Sequence, residues 1–394
     1  MIEILENLEI DSGRGKGRPI YEQVADHIRE KICSSNISAG VRLPAISQMM
    51  REWNLAYPTI KSALEILESE NILRCEQGRG KGPLILKPVE KKSYRFAFHR
   101  WKNEAQFINL EKGIKAFVEQ NNHELKVIDA YIANSCMPDV LTSESENFDG
   151  LIVYPIATEE YIKAIKDIQA LGVKVVFVDR FIEGLSIGSA SADNFSGGYT
   201  ATTHLIETHN CPVYYFGNTL QPTSAQMRYQ GWYQAMKEHF THLDFNSDYL
   251  WEIFADESRY NWCDTNDWEQ PAYEMALKSL SKVDSEKCCV FCSNDDAARI
   301  MTEAAKDNNR VPGVDFFVIG FGDKPFCERL DVPLSSVAQF DQEVGYAAAE
   351  LLESIIERPS LSNRMIKRIV PVELKIRASS IKKVGSEELS LKSI

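Results

Sequence analysis

The chain has 394 residues, is 44% hydrophobic in composition and carries a formal net charge of -13 at pH 7. This length exceeds what one hydrophobic core usually supports, and the apolar content is ample for burial, so we expect two or three globular units and exclude a disordered or fibrous chain. The acidic balance excludes a general polyanion binder, because clustered Lys and Arg supply non-specific affinity for phosphates. Any contact with DNA must come from a local patch.

The N-terminal segment MIEILENLEI has no basic region ahead of an apolar stretch. No later segment offers the run of about eighteen apolar residues that a membrane span needs, so we expect a cytoplasmic protein. The nine cysteines are odd in number and scattered, which favours reduced thiols over a disulfide scaffold. Cys289 and Cys292 form a CxxC, but they lie in an apolar run that predicts a buried strand, and no histidines complete a zinc site.

Three amphipathic helices are predicted in the N-terminal part of the chain. Apolar residues recur at helical spacing over residues 19–33, 46–53 and 56–72. In the third helix, Tyr57, Thr59 and Lys61 fall near the start and away from the apolar face. A helix with polar groups and a cation near its N-terminus suits the major groove of DNA.

Two short apolar strands around a Gly-rich basic tip follow the third helix and predict a hairpin. Arg79 and Lys81 lie in the tip EQGRGKG, where we expect them to reach phosphate or a minor groove. A nucleotide-binding loop is not favoured, because the tip lacks the GxxxxGK[ST] spacing and no helix follows it.

The segments PIYEQVADHIREKI, GVRLPAISQM, PTIKSALEILESENILR and QGRGKG together resemble the GntR family of winged-helix regulators over residues 18–86. The resemblance implies that the chain binds a pseudo-palindromic operator as a dimer. The family usually has arginines where this chain has Ser47 and Tyr57, and often one in place of Lys61, so the operator sequence does not carry over. We predict these DNA contacts: Ser47, Tyr57, Thr59, Lys61, Arg79 and Lys81.

Beyond a linker at residues 88–93, strand-like and helix-like segments alternate. Such alternation predicts an α/β fold with parallel sheets covered by helices on both faces. The predicted strands span residues 94–98, 125–130, 150–154, 173–178, 187–190, 213–216, 288–292, 316–320 and 336–338. The predicted helices span residues 106–119, 159–171, 198–208, 225–240, 273–280, 295–308 and 342–356.

Residues that directly follow the predicted strands are rich in hydrogen-bonding and aromatic groups. Ligands of open α/β sheets bind at the carboxyl ends of strands, and polyols are recognised by carboxylates, amides and aromatic faces. The residues at these strand ends therefore suit a sugar. They include His99, Arg100, Trp101, Asp179, Arg180, Asn218, Asn294, Asp295, Asp323 and Gln339.

A second resemblance spans nearly all of this region. The segments VVFVDRFIEG, SASADNFSGGYTATTHLI, SAQMRYQGWYQAM, VFCSNDDAARIM, FFVIGFGD and SSVAQFDQEVGYAAAELL are similar to the LacI-type effector domain, itself similar to periplasmic sugar-binding proteins. A GntR-type winged helix joined to this effector domain is the arrangement of arabinose-repressor-like regulators. The resemblance implies that Arg228 binds effector hydroxyls and that Asp179, Asn294 and Gln339 line the cleft. It also implies that Trp268 lies near the sugar ring, although residues 251–270 are longer than usual.

The expected organisation is a winged helix-turn-helix at 1–87, the linker, an effector domain at 94–382 and a tail at 383–394. Within the effector domain we expect one lobe from about residues 94–193 and 340–366 and a second from about 194–338 and 369–382. The proposed ligand contacts are Arg228, Asp179, Asn294, Gln339, Trp101, His99, Trp268, Asp295 and Arg100. No cofactor or metal is expected, because the histidines form no HxxxH or HExxH pattern.

These features predict a transcription regulator that acts as a repressor. Its affinity for operator DNA depends on a monosaccharide or sugar phosphate bound in the cleft between the lobes. Two alternatives stay open. A transport-type sugar-binding protein shares the same fold from residue 94 onward, and a cofactor-dependent enzyme fused to a winged helix needs a nucleophile with a base that the sequence does not display.

Overall fold

The protein is described here by a computed structural model. The described residues are 3–5, 8, 19–35, 37–76, 81–87, 92–100, 105–129, 147–241, 243, 245–253, 268–358, 361 and 364–382. The chain divides into two compact units, Met1–Lys92 and Ser93–Ile394.

The first unit is a three-helix core with a β-hairpin. A short 3-10 turn, Glu3–Leu5, precedes helices α1 (Ile20–Ser34), α2 (Ile46–Trp53) and α3 (Tyr57–Ser69). Val24 and Ile28 of α1 share one apolar core with Ile60 and Leu64 of α3, which is the helical spacing that the sequence displays.

The hairpin pairs β1 (Leu73–Arg74) with β2 (Leu84–Ile85) in antiparallel register, Leu73 opposite Ile85. The loop before α2 adds to it, because Leu43 donates its N–H to the Pro83 carbonyl at 2.9 Å. A Cβ on Gly82 would lie 1.7 Å from the Leu43 carbonyl oxygen, so this close approach requires glycine. The predicted winged helix-turn-helix is confirmed.

The second unit alternates strands and helices as expected. Its strands are β3 (Arg95–Arg100), β4 (Glu124–Asp129), β5 (Gly150–Val153), β6 (Lys174–Val178), β7 (Gly188–Ala192), β8 (Val213–Gly217), β9 (Leu250–Glu252), β10 (Cys288–Cys292), β11 (Phe316–Phe321), β12 (Ser335–Ala338), β13 (Lys367–Val370) and β14 (Glu373–Lys375). Its helices are α4 (Ala105–Asn121), α5 (Glu159–Ala170), α6 (Asn194–His209), α7 (Thr223–His239), α8 (Phe245–Asp248), α9 (Glu269–Leu280), α10 (Asp295–Asp307) and α11 (Asp341–Glu357).

The strands form two six-stranded sheets, one in each lobe. The first has the order β13-β7-β6-β5-β3-β4 and is parallel throughout, and the second has the order β14-β12-β11-β10-β8-β9 with only β14 antiparallel. Apolar cores cover both faces of each sheet. The predicted two-lobed fold with parallel sheets is confirmed.

Three strands of the second unit were not anticipated: β9, β13 and β14. Each is short, and every residue of β13 is exposed or half-buried, so none displays the apolar run of a buried strand. Because β13 lies in the first sheet and β14 in the second, the last crossing between lobes falls between Val370 and Glu373 rather than near residues 366–369.

Cys289 and Cys292 contribute to cores on opposite faces of β10, as the alternation of a strand dictates. No helix among the described residues has the length and apolar content needed to cross a bilayer.

Candidate functional site

A cavity of about 290 Å³ opens at the carboxyl ends of the strands of both sheets in the second unit. Polar residues dominate its lining, with four aromatic rings among them. The lining includes Gln106, Phe107, Tyr154, Asp179, Arg180, Asn218, Arg228, Trp268, Ser293, Asn294, Asp296, Phe321, Asp323, Lys324, Gln339 and Asp341.

Arg228 of α7 is the most heavily bonded side chain in the cavity wall. Its Nε donates to Asn194 Oδ1 at 2.7 Å, and its terminal nitrogens donate to the Ser293 carbonyl at 2.7 Å and to Gln339 Oε1 at 3.1 Å. The guanidinium carbon lies 3.7 Å from the centre of the Phe321 ring. Among the described residues these bonds use three of the five N–H groups, which leaves one donor on each terminal nitrogen.

The position of Arg228 depends on a close crossing of α6 and α7. A Cβ on Gly198 would lie 2.3 Å from the Arg228 carbonyl oxygen, and a Cβ on Gly231 would lie 2.2 Å from the Phe195 carbonyl oxygen. Only glycine permits this approach of two helices. The approach brings Asn194, at the start of α6, within hydrogen-bonding distance of Arg228 Nε.

Asp179 follows β6 and faces the cavity from the first lobe. Its Oδ1 accepts from Gln106 Nε2 at 2.8 Å and its Oδ2 accepts from Arg180 Nε at 2.9 Å. Arg180 also donates to the Tyr154 hydroxyl and stacks 4.2 Å from the centre of that ring. The left-handed φ of +71° at Asp179 is uncommon for a residue other than glycine and is often found at functional sites.

Asn294 and Asp295 follow β10 but have different roles. Asn294 lines the cavity and also caps α10, because its Oδ1 accepts from Ala297 N at 2.8 Å. Asp295 is fully buried and accepts from Lys324 N at 2.8 Å and from Ser336 Oγ at 2.5 Å. It holds the end of β11 and is absent from the cavity wall. Instead Asp296 lines the cavity and pairs with Lys324 Nζ at 2.5 Å.

Gln339 and Asp341 lie where the chain crosses from β12 to α11. Gln339 Nε2 donates to Asp341 Oδ1 at 2.8 Å. Burial raises the pKa of Asp341 to about 8, and the negative charge of Asp179 acts in the same direction. Burial lowers the pKa of Arg228, whereas the charge of Asp179 opposes that shift.

The remaining predicted ligand contacts are distributed unevenly. Trp268 lines the cavity at the start of α9. His99 is fully buried with its ring centre 6.3 Å from that of Tyr161, and Arg100 pairs with Glu111 at 2.9 Å; neither lines the cavity. Trp101 lies outside the described residues. Asp323 lines the cavity and pairs with Arg377 at 2.8 Å.

Several cavity residues were not among the predicted contacts. Asn218 was noted only for its place after β8, yet its Oδ1 is buried without a hydrogen-bond partner among the described residues. Asp341, two residues after Gln339, was missed because no strand end marks it. Phe321 is the last residue of β11, and Tyr154 directly follows β5. The strand-end rule that selected Asp179 was therefore sufficient to find both.

The first unit presents its predicted DNA contacts to solvent. Tyr57 is 49% exposed and the side chain of Lys61 is 55% exposed, while Thr59 is half-buried. Ser47 on α2 and Lys81 beside the hairpin are also exposed, and Arg79 lies outside the described residues. The first turn of α3 carries no acidic residue, which leaves the positive end of the helix dipole available to phosphate.

No group of three or more His, Cys, Asp or Glu side chains in the part of the chain that the structure describes is arranged to hold a metal ion.

A family model described as the periplasmic binding protein domain matches residues 96–358, which is well over half of the chain. The chain belongs to the periplasmic binding protein domain family. A second model, described as bacterial regulatory proteins of the gntR family, matches residues 20–81. Both matches coincide with the two units of the structure.

The chain is similar to transcriptional repressors, over most of its length in one case and over about half of it in another. It is 23% identical over 365 residues to the arabinose metabolism transcriptional repressor of Geobacillus stearothermophilus, covering 88% of this chain and 93% of that protein. It is 30% identical over 187 residues to the HTH-type transcriptional repressor PurR of Histophilus somni, covering 48% of this chain and 51% of that protein.

Among solved structures, a LacI family transcriptional regulator from Enterococcus faecium with bound ribose superposes with a TM-score of 0.57 at 20% identity. The match covers 74% of this chain and all of that chain. At this level of identity the match shows the shared fold of the second unit.

Proposed function

We propose that this protein is a transcription repressor that binds operator DNA as a homodimer and releases it when a neutral monosaccharide occupies the cavity of the second unit. The observation that carries this proposal is the cavity itself, where strand ends of two parallel sheets converge around Arg228. The gntR match and the exposed face of α3 support the DNA-binding role. As part of this proposal, the protein acts in the cytoplasm, where its operator lies.

A small polar effector suits the cavity in size and chemistry. The volume of about 290 Å³ lies just below the usual range for ligand pockets, about 300–1,000 Å³, which fits a small effector. Arg228 offers two donors, Asn218 contributes an amide to the wall, and the rings of Trp268 and Phe321 offer apolar faces. Hydroxyls on a compact apolar frame match this set. The arabinose in the name of one relative and the ribose bound by another regulator support the choice of a sugar.

Charge favours a neutral sugar over a sugar phosphate. Arg180 is paired with Asp179 and Lys324 with Asp296, so two of the cations in the wall are already neutralised. Arg228 is engaged by an amide, a carbonyl and a second amide rather than by a carboxylate. The described wall contains four aspartates, Asp179, Asp296, Asp323 and Asp341, against three cations, those of Arg180, Arg228 and Lys324. Because burial raises the pKa of Asp341 to about 8, that residue is protonated at neutral pH and three carboxylates balance the three cations. A phosphate would therefore find no excess of positive charge in the described wall.

The effector acts by differential affinity. A sugar that bridges both lobes stabilises the arrangement in which their strand ends are closest, and it shifts the equilibrium only by as much as it prefers that arrangement. Gln106 and Asp179 from the first lobe and Arg228 and Asn294 from the second provide the contacts that a bridging ligand requires. Closure then weakens the affinity of the dimer for its operator.

The transport-type alternative is tested by the first unit. A solute-binding protein without regulatory function has no use for an exposed polar face on α3 or for a gntR domain. The proposal assigns no catalytic activity to the chain, in keeping with the regulators among its relatives.

The proposal is tested by two measurements on the full chain. Thermal unfolding is recorded with arabinose, ribose and ribose 5-phosphate, and binding to the DNA upstream of its own gene is followed by gel shift. We expect at least one neutral pentose to raise Tm, because a ligand that binds only the folded state stabilises it, and the same sugar to release the DNA. Stabilisation by the phosphate alone, or a sugar that binds without changing the gel shift, contradicts the proposal.

A further inference from the structure

Cys211 and Cys289 lie side by side at the end of the second sheet opposite the cavity. Their Sγ atoms are 3.2 Å apart, within hydrogen-bonding distance. Cys289 stands opposite Val213 in the parallel register of β10 and β8, and Cys211, two residues before Val213, packs against the same apolar core as Cys289. The two thiols are therefore in contact, and a disulfide bond of about 2.05 Å requires the two sulfurs to approach each other further.

The two cysteines differ in accessibility. Cys211 is half-buried, whereas Cys289 is fully buried. The other cysteines of β10, Cys288 and Cys292, contribute to the core on the opposite face of the sheet. Among the described cysteines, Cys289 thus has Cys211 as its neighbour, and a reagent from solvent reaches Cys211 first.

The surroundings of Cys211 favour its thiolate. The hydrogen bond from Cys289 lowers the pKa of Cys211 below its usual value, and the positive charge of Lys287 adds to that effect while burial opposes it. Lys287 is held nearby by the carbonyl of His209, which accepts from its Nζ at 3.2 Å. An accessible cysteine with a depressed pKa beside a second thiol is the arrangement typical of redox-sensitive pairs.

We propose that Cys211 and Cys289 form a redox-reactive dithiol that a hydroperoxide converts to an intramolecular disulfide. The Cys211 thiol releases its proton, and the thiolate attacks the terminal oxygen of the hydroperoxide. The O–O bond breaks, Cys211 becomes a sulfenic acid, and the other oxygen leaves as hydroxide or alkoxide, which takes up the released proton to give water or an alcohol. The sulfur of Cys289 then attacks Cys211 Sγ and displaces hydroxide, which takes up the proton of the Cys289 thiol and leaves as water. Two thiols lose two electrons, and the peroxide gains them.

This site is separate from the proposed effector cavity. The cysteines lie at the amino ends of β8 and β10, and the cavity lies at the carboxyl ends of the same strands. With a rise of about 3.3 Å per residue, a five-residue strand separates the two sites by roughly 16 Å. The inference therefore stands whether or not the cavity binds a sugar.

Peptide mapping of the full chain tests the inference. The protein is treated with hydrogen peroxide at neutral pH, remaining thiols are blocked with N-ethylmaleimide, and the digest is analysed without reduction. We expect the peptides of Cys211 and Cys289 to appear joined and two hydrogen atoms lighter than their sum, and dithiothreitol to separate them. Cys75 serves as the internal standard for accessibility alone, because its side chain is exposed. The pKa of its thiol is raised by partial burial of the sulfur and by the negative charge of Glu68, so its thiolate is not favoured.

Three variants complete the test. Cys211→Ser should abolish the cross-link, and Cys289→Ser should leave Cys211 as a sulfenic acid that dimedone traps. Cys292→Ser, on the other face of β10, should leave the yield of cross-link unchanged. Oxidation of Cys75 with no joined peptides in the unmodified chain overturns the inference, and so does a cross-link from Cys289 to any other cysteine. The peptide map of the unmodified chain decides whether the disulfide forms. A variant that fails to fold therefore leaves that result unaffected.

Discussion

Arg228 donates a hydrogen bond to Gln339 Oε1 at 3.1 Å, and Gln339 Nε2 in turn donates one to Asp341 Oδ1 at 2.8 Å. This relay joins α7 of the second lobe to the start of α11, which packs in the first lobe. It lies at a crossing of the chain between lobes and at the same time forms part of the cavity wall. A ligand that bonds to Arg228 therefore acts directly on the junction of the two lobes.

The first prediction concerns the planar fork of Arg228. Arg228→Lys retains the charge but loses the bidentate donors and the stacking on Phe321. A hydrogen bond to a charged group contributes about 1.5–3 kcal/mol, so we expect the Kd of the effector sugar to rise about 10–100-fold by calorimetry. The matched control is Arg299→Lys on the surface of α10, where Arg299 pairs with Glu269 and Glu303. Equal affinities for both variants and the unmodified chain contradict the assignment.

The second prediction separates binding from folding at Asn218. Its Oδ1 is buried and finds no partner among the described residues, so the folded protein without ligand gains nothing from it. Asn218→Ala should leave the Tm of the ligand-free protein equal or higher, while the Kd for the sugar rises at least about fivefold. Asn147→Ala, at an exposed position, should change neither quantity. A large fall in Tm without ligand indicates that Asn218 serves the fold instead.

The third prediction follows from the pKa of about 8 at Asp341, which burial raises from an unfolded value near 3.9. Between these two values the folded chain binds a proton at Asp341 that the unfolded chain has released, so the contribution to stability is complete below about pH 4 and is lost as the pH rises to about 8. Asp341→Asn mimics the protonated form and still accepts from Gln339. We therefore expect the variant to raise Tm more at pH 8.5 than at pH 5.

The control for this prediction is Asp284→Asn, which replaces an exposed carboxylate of the second lobe. Its effect on Tm should be the same at both pH values. A larger gain for Asp341→Asn at pH 5 than at pH 8.5 contradicts the proposed protonation.

The sequence was sufficient to predict most of the fold because most segments have a pattern of apolar residues that identifies them as a helix or a strand. The apolar runs of β6, β10 and β11 and the helical spacing of α1 and α3 need no knowledge of the rest of the chain. The short strands β13 and β14 lack such a signal. They exist because each completes the edge of a sheet built from distant residues, Lys367 opposite Ser189 and Lys375 opposite Ser336.

The site was predictable only in part. The rule that ligands bind at strand ends located Asp179, Asn294 and Gln339 in the cavity wall. It does not distinguish Asp295 from Asp296, because adjacent residues on a helix point in directions that only the packing of β11 and β12 decides. Asp341 was missed for a different reason: it follows no strand end directly, and its place in the wall depends on the crossing between the lobes.

The last prediction concerns Lys61 on α3. Its Nζ lies 3.6 Å from Glu65 Oε1, and both side chains are more than half exposed, so this pair contributes little to the fold. On the operator, Lys61 is expected to neutralise a phosphate or contact a base, and Lys61→Ala should weaken binding without changing Tm. If the contact is to phosphate, the slope of log K against log[salt] should become shallower by about 0.9.

Two further variants test this assignment. Glu65→Ala removes a nearby negative charge and should bind the operator more tightly. Lys31→Ala on α1 serves as the control for a loss of charge elsewhere in the unit. Lys61→Ala and Lys31→Ala with the same affinity and the same salt slope would exclude α3 as the element that reads the operator.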